Sequence, residues 1–239
     1  MPIKRPQFVN REIYHIILRG IEKRDVFIDE KDHLRFIHDL FEFNDRDAAV
    51  NVPYYFKRLY RDNFSVERRE RKLRKLLVEI LSFCLMPNHV HLILRQLKEK
   101  GISLFMQKLG GYSTYFNKKY DRVGSLFQRP FRGVHIKTDD QLMITTSYVH
   151  INPADLVEPG WKEEGVKNPK KVMKFLESYR WSSYSDYLGK KNFPSLTQRE
   201  FLNKIFEGPE SHKKFVNGRI YHKAELTKFL QISKELFLE

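Results

Sequence analysis

Two β-rich runs, residues 78–86 and 89–95, stand on either side of Pro87-Asn88. A Pro-Asn pair interrupts extended structure and favours a turn, so the two runs predict an antiparallel hairpin. A lone hairpin is marginal in water, and the rest of the chain must supply further strands and helices to cover it. Residues 12–19 are β-rich and stop at Gly20, which reads as a central strand. Between residues 29 and 43, Leu34, Ile37, Leu40 and Phe41 recur at helical spacing behind an acidic start. A broad apolar stripe predicts a helix over 103–120, although Gly110-Gly111 interrupts it. Residues 132–137 form another short strand. Thr138 with Gln141 three residues on fits a capping box. The helix it opens runs to about Asn152, because Pro153 disfavours helical geometry in the residue before it. This element order predicts an α+β fold, an antiparallel sheet with helices on one or both faces, over residues 1–156. Residues 45–75 are expected to be a helical basic insertion within it. Residues 157–239 are expected to be a helical C-terminal extension, loop-rich to 169 and helical over 172–188 and from 198 onward.

Charge narrows the function classes. The 44 Lys and Arg exceed the 30 Asp and Glu, for a formal charge of +14. Such a surplus suits a polyanionic partner, nucleic acid first, because each neutralised phosphate releases counterions. Within the insertion, however, the charged run around Arg68 to Lys75 also describes an ordinary solvated helix face. Cys84 is the chain's one cysteine, which excludes an internal disulfide and a cysteine-based zinc site. Its apolar neighbours predict a buried strand position. No apolar run reaches the length of a membrane span, and the start of the sequence lacks the apolar core of a signal peptide, so the expected location is cytoplasmic.

His89 and His91 are the residues most informative about chemistry. Two apart in a strand, they project from one face while Val90 and Leu92 project from the other. Paired imidazoles offer two neutral nitrogen ligands to a divalent metal, although alternating histidines also occur in strands without any such role. Tyr148 and Asn152 lie four apart on the capped helix and share one face, with roughly 5–6 Å between their Cβ atoms. Asn152 can offer an amide oxygen to the same metal, and Tyr148 a phenolic nucleophile beside it. Taken without the histidines, the pair would read as a core tyrosine and a helix-ending Asn-Pro.

Met86-Pro87-Asn88-His89-Val90-His91-Leu92 resembles the two-histidine "HUH" motif of single-tyrosine transposases. Tyr148-Val149-His150-Ile151-Asn152-Pro153 resembles the tyrosine-helix motif of their REP-associated branch. Further matches, in the family's order, are Ile17-Leu18-Arg19-Gly20, Gly124-Ser125-Leu126-Phe127-Gln128 and Tyr179-Arg180-Trp181-Ser182-Ser183-Tyr184. The resemblance spans roughly residues 8–188. It implies a ferredoxin-like sheet, with His89, His91 and Asn152 holding Mg²⁺ or Mn²⁺ and Tyr148 as nucleophile. It also implies a single-stranded DNA partner containing a hairpin, nicked and joined through a 5′-phosphotyrosine. Relatives outside this branch often carry Gln where this chain has Asn152; both present an amide oxygen. The insertion is longer than the family's minimal core requires.

A surface for unpaired bases combines cations with stacking rings. The candidates are Tyr112, Tyr115, Lys118, Lys119, Arg122, Arg129, Arg132 and Lys137, with Tyr112 and Tyr115 more readily core residues. Monomer is the expected state, with a dimer as the alternative known in minimal relatives. A histidine-triad phosphohydrolase would need a further alternate histidine where Ile93 stands, and a barrel metallohydrolase needs a longer chain. Relaxases commonly place the tyrosine ahead of the histidines, whereas here it follows them. A replication initiator is the nearest enzymatic rival, and a host-adopted, non-catalytic nucleic-acid-binding protein is the rival of another class.

Overall fold

Residues 6–47 and 74–221 are described by the computed structural model of the chain. Among them four strands form one sheet: β1 (Ile13–Arg19), β2 (Val78–Met86), β3 (His89–Gln96) and β4 (Arg132–Ile136). Their order is β2-β3-β1-β4, every pair antiparallel. With helices joining β1 to β2 and β3 to β4, this is the ferredoxin-like connection that the resemblance implied. The fold is α+β.

Alternation decides what each sheet face holds. Tyr14, Ile16 and Leu18 join Val90, Leu92 and Leu94 in one core. That core is covered by α1 (Glu30–Glu42), α2 (Gly101–Leu109) and α3 (Gly111–Lys119). The single helix expected over 103–120 is therefore two, abutting at Gly110. The opposite face presents His15, Ile17 and Arg19 beside His89, His91 and Ile93, since Arg19 pairs with His89 and Ile17 with His91. Over it lies α4 (Asp139–Ile151), whose N-cap Thr138 accepts from the Gln141 amide. Gln141 reaches back to the Lys137 amide, one residue short of a full capping box. Asn152 continues the chain into a 3-10 turn through Pro153, where proline is tolerated in a first turn.

Most of residues 157–221 pack into this second layer, while Trp181, Phe193 and Leu196 pack with the first core. Trp161, Val172, Met173, Leu176, Tyr184, Val216 and Ile220 form one buried cluster with Tyr148, Ile151 and Ala154 of the α4 region. The expected helix over 172–188 is broken: α6 (Pro169–Ser178) follows the one-turn α5 (Trp161–Glu164), and only α7 (Tyr184–Tyr187) resumes it. The interruption has a cause. Residues 181–183 extend along β2, with the Leu85 amide donating to the Trp181 carbonyl and the Ser183 amide to the Phe83 carbonyl. This pairing covers the edge of the sheet at residues 83–85. Likewise the helix expected from 198 is divided into α8 (Arg199–Ile205) and α9 (Pro209–Tyr221) at Glu207-Gly208, both of positive φ.

Most of the expected basic insertion, residues 48–73, lies outside the described residues, as do 222–239. Its two ends meet: the Arg46 amide donates to the Lys75 carbonyl, and Asn44 bonds the backbone of Leu77 and Val78. Cys84 is buried in β2, as its neighbours predicted, and burial pushes its thiol pKa up. No described helix is long and apolar enough to cross a membrane.

Candidate active site

Strand register and helix spacing bring the four expected residues together. His89 Nε2 lies 3.2 Å from Asn152 Oδ1, spanning the gap between β3 and the end of α4. The His89 and His91 rings meet at 4.8 Å between centroids, and the His91 ring meets the Tyr148 ring edge-on at 5.6 Å. His91, Tyr148 and Asn152 are buried, while His89 is half-buried at the mouth.

The hydrogen bonds around the two imidazoles define their lone pairs. Asn88 donates its amide to the Lys23 carbonyl, which turns its Oδ1 toward His89 Nδ1 at 2.6 Å. That oxygen only accepts, so Nδ1 carries the ring proton. In the neutral ring that leaves Nε2 as a lone pair beside the Asn152 oxygen, two electron-pair donors that one cation can bridge. His91 Nδ1 lies 2.9 Å from His15 Nε2. When Nδ1 donates there, Nε2 is left as a lone pair, the tautomer a metal ligand needs. His91 Nε2 and Asn152 Nδ2 are buried without a hydrogen-bond partner. Burial, then the nearby His89, His15, Lys162 and Arg19, holds the His91 pKa well below the ordinary histidine value, so the ring is neutral. The donor set therefore fits a divalent ion through two imidazoles and an amide oxygen. Among the described residues no group of three or more His, Cys, Asp and Glu is arranged to hold a metal.

Three residues enter this site without having been singled out for it. His15 supports His91 from β1, where it shares a face with Arg19. Arg19 stands directly across from His89. Lys162, from the one-turn α5, donates to the Tyr148 hydroxyl at 3.0 Å. Strand alternation carried a signal for His15 and Arg19, once β1 is known to pair with β3. Nothing local signalled Lys162, which reaches the phenol only through the packing of Trp161.

The expected DNA-binding residues divide. Arg132 pairs with Ile17 and so lies on the histidine face, and exposed Arg129 leads into the same strand. Lys137, also exposed, follows the far end of β4, about 16 Å along the strand from Arg132. Tyr115, Lys118, Lys119 and Arg122 belong to α3 and its C-terminal end, in the layer across the sheet from His89 and His91. Of these, Lys118 is exposed. Tyr115 donates to Asp32, Lys119 binds Asp29 and Asp32, and Arg122 donates to Asn117. Tyr112 is core: fully buried, it donates to the Val26 carbonyl at 2.6 Å.

Residues 60–152 match the model of a family described as "Transposase IS200 like". Among solved structures, one described as the REP-associated tyrosine transposase bound to a REP hairpin aligns with 15% identity and a TM-score of 0.49. The alignment covers 84% of this chain and 96% of that one. No curated protein matches the chain. The stretch that the family model matches, residues 60–152, is the one that carries His89, His91, Tyr148 and Asn152.

Proposed function

We propose that the protein nicks and rejoins single-stranded DNA through a covalent link to Tyr148, with His89, His91 and Asn152 holding Mg²⁺ or Mn²⁺. The observation that carries this reading is the convergence of the two imidazoles, the Asn152 oxygen and the Tyr148 ring within a segment matched by the transposase family. A bound divalent ion polarises a phosphoryl oxygen and offsets charge that develops in the transition state. Two nitrogen ligands favour Mn²⁺ over Mg²⁺, which prefers oxygen.

The chain's own groups do the rest. The Tyr148 oxygen attacks phosphorus, its proton passing to solvent; the bond to the 3′-oxygen breaks, and that oxygen takes up a proton. A 5′-phosphotyrosine and a 3′-OH result. The link keeps the reactivity of the phosphodiester, so another 3′-OH can reverse the step and join strands without ATP, an option that hydrolysis by water discards. Arg19, Arg129 and Arg132 supply cations on or beside the histidine face for the phosphate backbone. Tyr148 is 1% exposed, so the scissile phosphate must open the cover around Lys162 to reach its oxygen.

Incubation of labelled single-stranded hairpins with Mn²⁺ or Mg²⁺ tests the reading. It expects a denaturation-resistant adduct that Tyr148→Phe abolishes. Tight binding without an adduct across a panel of hairpins would select a non-catalytic binding protein instead.

A further inference from the structure

We propose that Lys162 is a catalytic residue of this site, stabilising the Tyr148 oxygen whenever that oxygen carries charge. The inference rests on the nicking and joining reading above. Its ammonium group donates to the phenolic oxygen at 3.0 Å and lies 5.2 Å from the ring centroid. The contact is built into the fold. Gly160, at φ 82°, turns the chain into the one-turn α5, and Trp161 is fully buried in the cluster that also holds Tyr148, Ile151 and Ala154. Lys162 is thereby tethered one residue from the apolar contacts that position the nucleophile.

A hydrogen bond from an ammonium strengthens as its acceptor gains negative charge, so it favours the phenolate over the phenol and over the phosphotyrosine ester. In cleavage the phenol gives its proton to solvent, the tyrosine oxygen–phosphorus bond forms, and the 3′-oxygen leaves and is protonated. In joining, an incoming 3′-OH loses its proton and attacks, and the tyrosine oxygen–phosphorus bond breaks. The electron pair then returns to a phenolate oxygen facing Lys162. One ammonium thus acts in both directions, and removing it slows both by about 100-fold, as for other charge-stabilising donors.

Single-turnover rates of adduct formation, and of joining from preformed adduct, are compared for the wild type, Lys162→Met and Lys162→Arg on one hairpin substrate with Mn²⁺. Both steps are expected to slow in Lys162→Met with DNA affinity unchanged, and Lys162→Arg to recover most of the loss. A fluorinated tyrosine at position 148, a better leaving group, is expected to shrink the joining deficit of Lys162→Met, which a merely structural defect would not do. In metal-free protein the Lys162 ¹⁵Nζ resonance is expected to move in Tyr148→Phe. Wild-type joining rates in Lys162→Met, a deficit indifferent to fluorination, or an unmoved ammonium resonance would overturn the proposal. Absence of any wild-type adduct would overturn the nicking reading itself, and the resonance would then still decide the contact.

Discussion

Replacing Trp161 with Ala removes the largest side chain from the cluster that joins residues 157–221 to the tyrosine helix. Trp161 is 0% exposed and packs with Tyr148, Ile151, Ala154 and Val172. Loss of a buried indole costs about 3–5 kcal/mol through lost transfer energy and the cavity left behind. In a chain of this size about 1 kcal/mol moves the melting temperature by 2–4 °C, so Trp161→Ala should melt on the order of 10 °C lower. Trp161→Phe is the control. The indole N–H has no hydrogen-bond partner among the described residues, so a phenyl ring gives up no polar contact and should cost only about 1–2 kcal/mol. Calorimetry of the three proteins, with rates of adduct formation measured below each transition, provides the assay. The alanine variant should also lose activity while folded, because Lys162 and Tyr148 are both anchored through this cluster. A Trp161→Ala protein melting within about 2 °C of wild type would refute the claim that the two parts share a core.

His15→Leu should weaken Mn²⁺ binding by about 10–100-fold, since His91 loses the partner that sets its tautomer; titration followed by the resonance of free Mn²⁺ reads this, and unchanged affinity contradicts it. His212 faces His150, Tyr184, Tyr187 and Phe206, and burial pushes its pKa down to about 3. The unfolded chain therefore binds a proton there below about pH 6.5 that the folded chain refuses until about pH 3, so stability falls with pH across that window. Urea unfolding between pH 6 and 4 should show His212→Phe flattening the decline by about 1.4 kcal/mol per pH unit; an unchanged slope would remove His212 as its source. Asp32 is buried and accepts from Lys119 Nζ at 2.6 Å, Tyr120 at 2.7 Å, Tyr115 at 3.1 Å and the Ile28 amide at 2.9 Å. Asp32→Ala should destabilise the fold by about 3–5 kcal/mol at neutral pH, and a loss below about 1 kcal/mol in urea unfolding would show that α1 and α3 are held otherwise.

Local patterns proved legible where one element decided its own geometry. Alternation placed His89 and His91 on one face and Val90 and Leu92 in the core, and β2 and β3 occupy the hairpin that Pro87-Asn88 announced. Helical spacing placed Asn152 one turn beyond Tyr148, and the Asn152 backbone N–H donates to the Tyr148 carbonyl. Features that depend on distant partners were hidden. The break at residues 179–183 follows from pairing with β2, which no pattern within that segment expresses. The basic residues of α3 illustrate another limit: composition marks Lys119 as a cation for DNA, while the fold gives it Asp29 and Asp32. Lys162 lies in a loop-rich stretch where nothing distinguishes it from its neighbours Glu163 and Glu164. Its role emerges only from where the neighbouring indole is buried.

Mass spectrometry of a trapped protein–DNA adduct tests the central claim most directly. After nuclease trimming and proteolysis, a nucleotide mass should sit on the peptide containing Tyr148, and fragmentation should assign it to the phenolic oxygen. A mass carried instead by Tyr115, Tyr184 or any other residue would contradict the account, because the imidazole pair and the Asn152 oxygen would then serve no nucleophile.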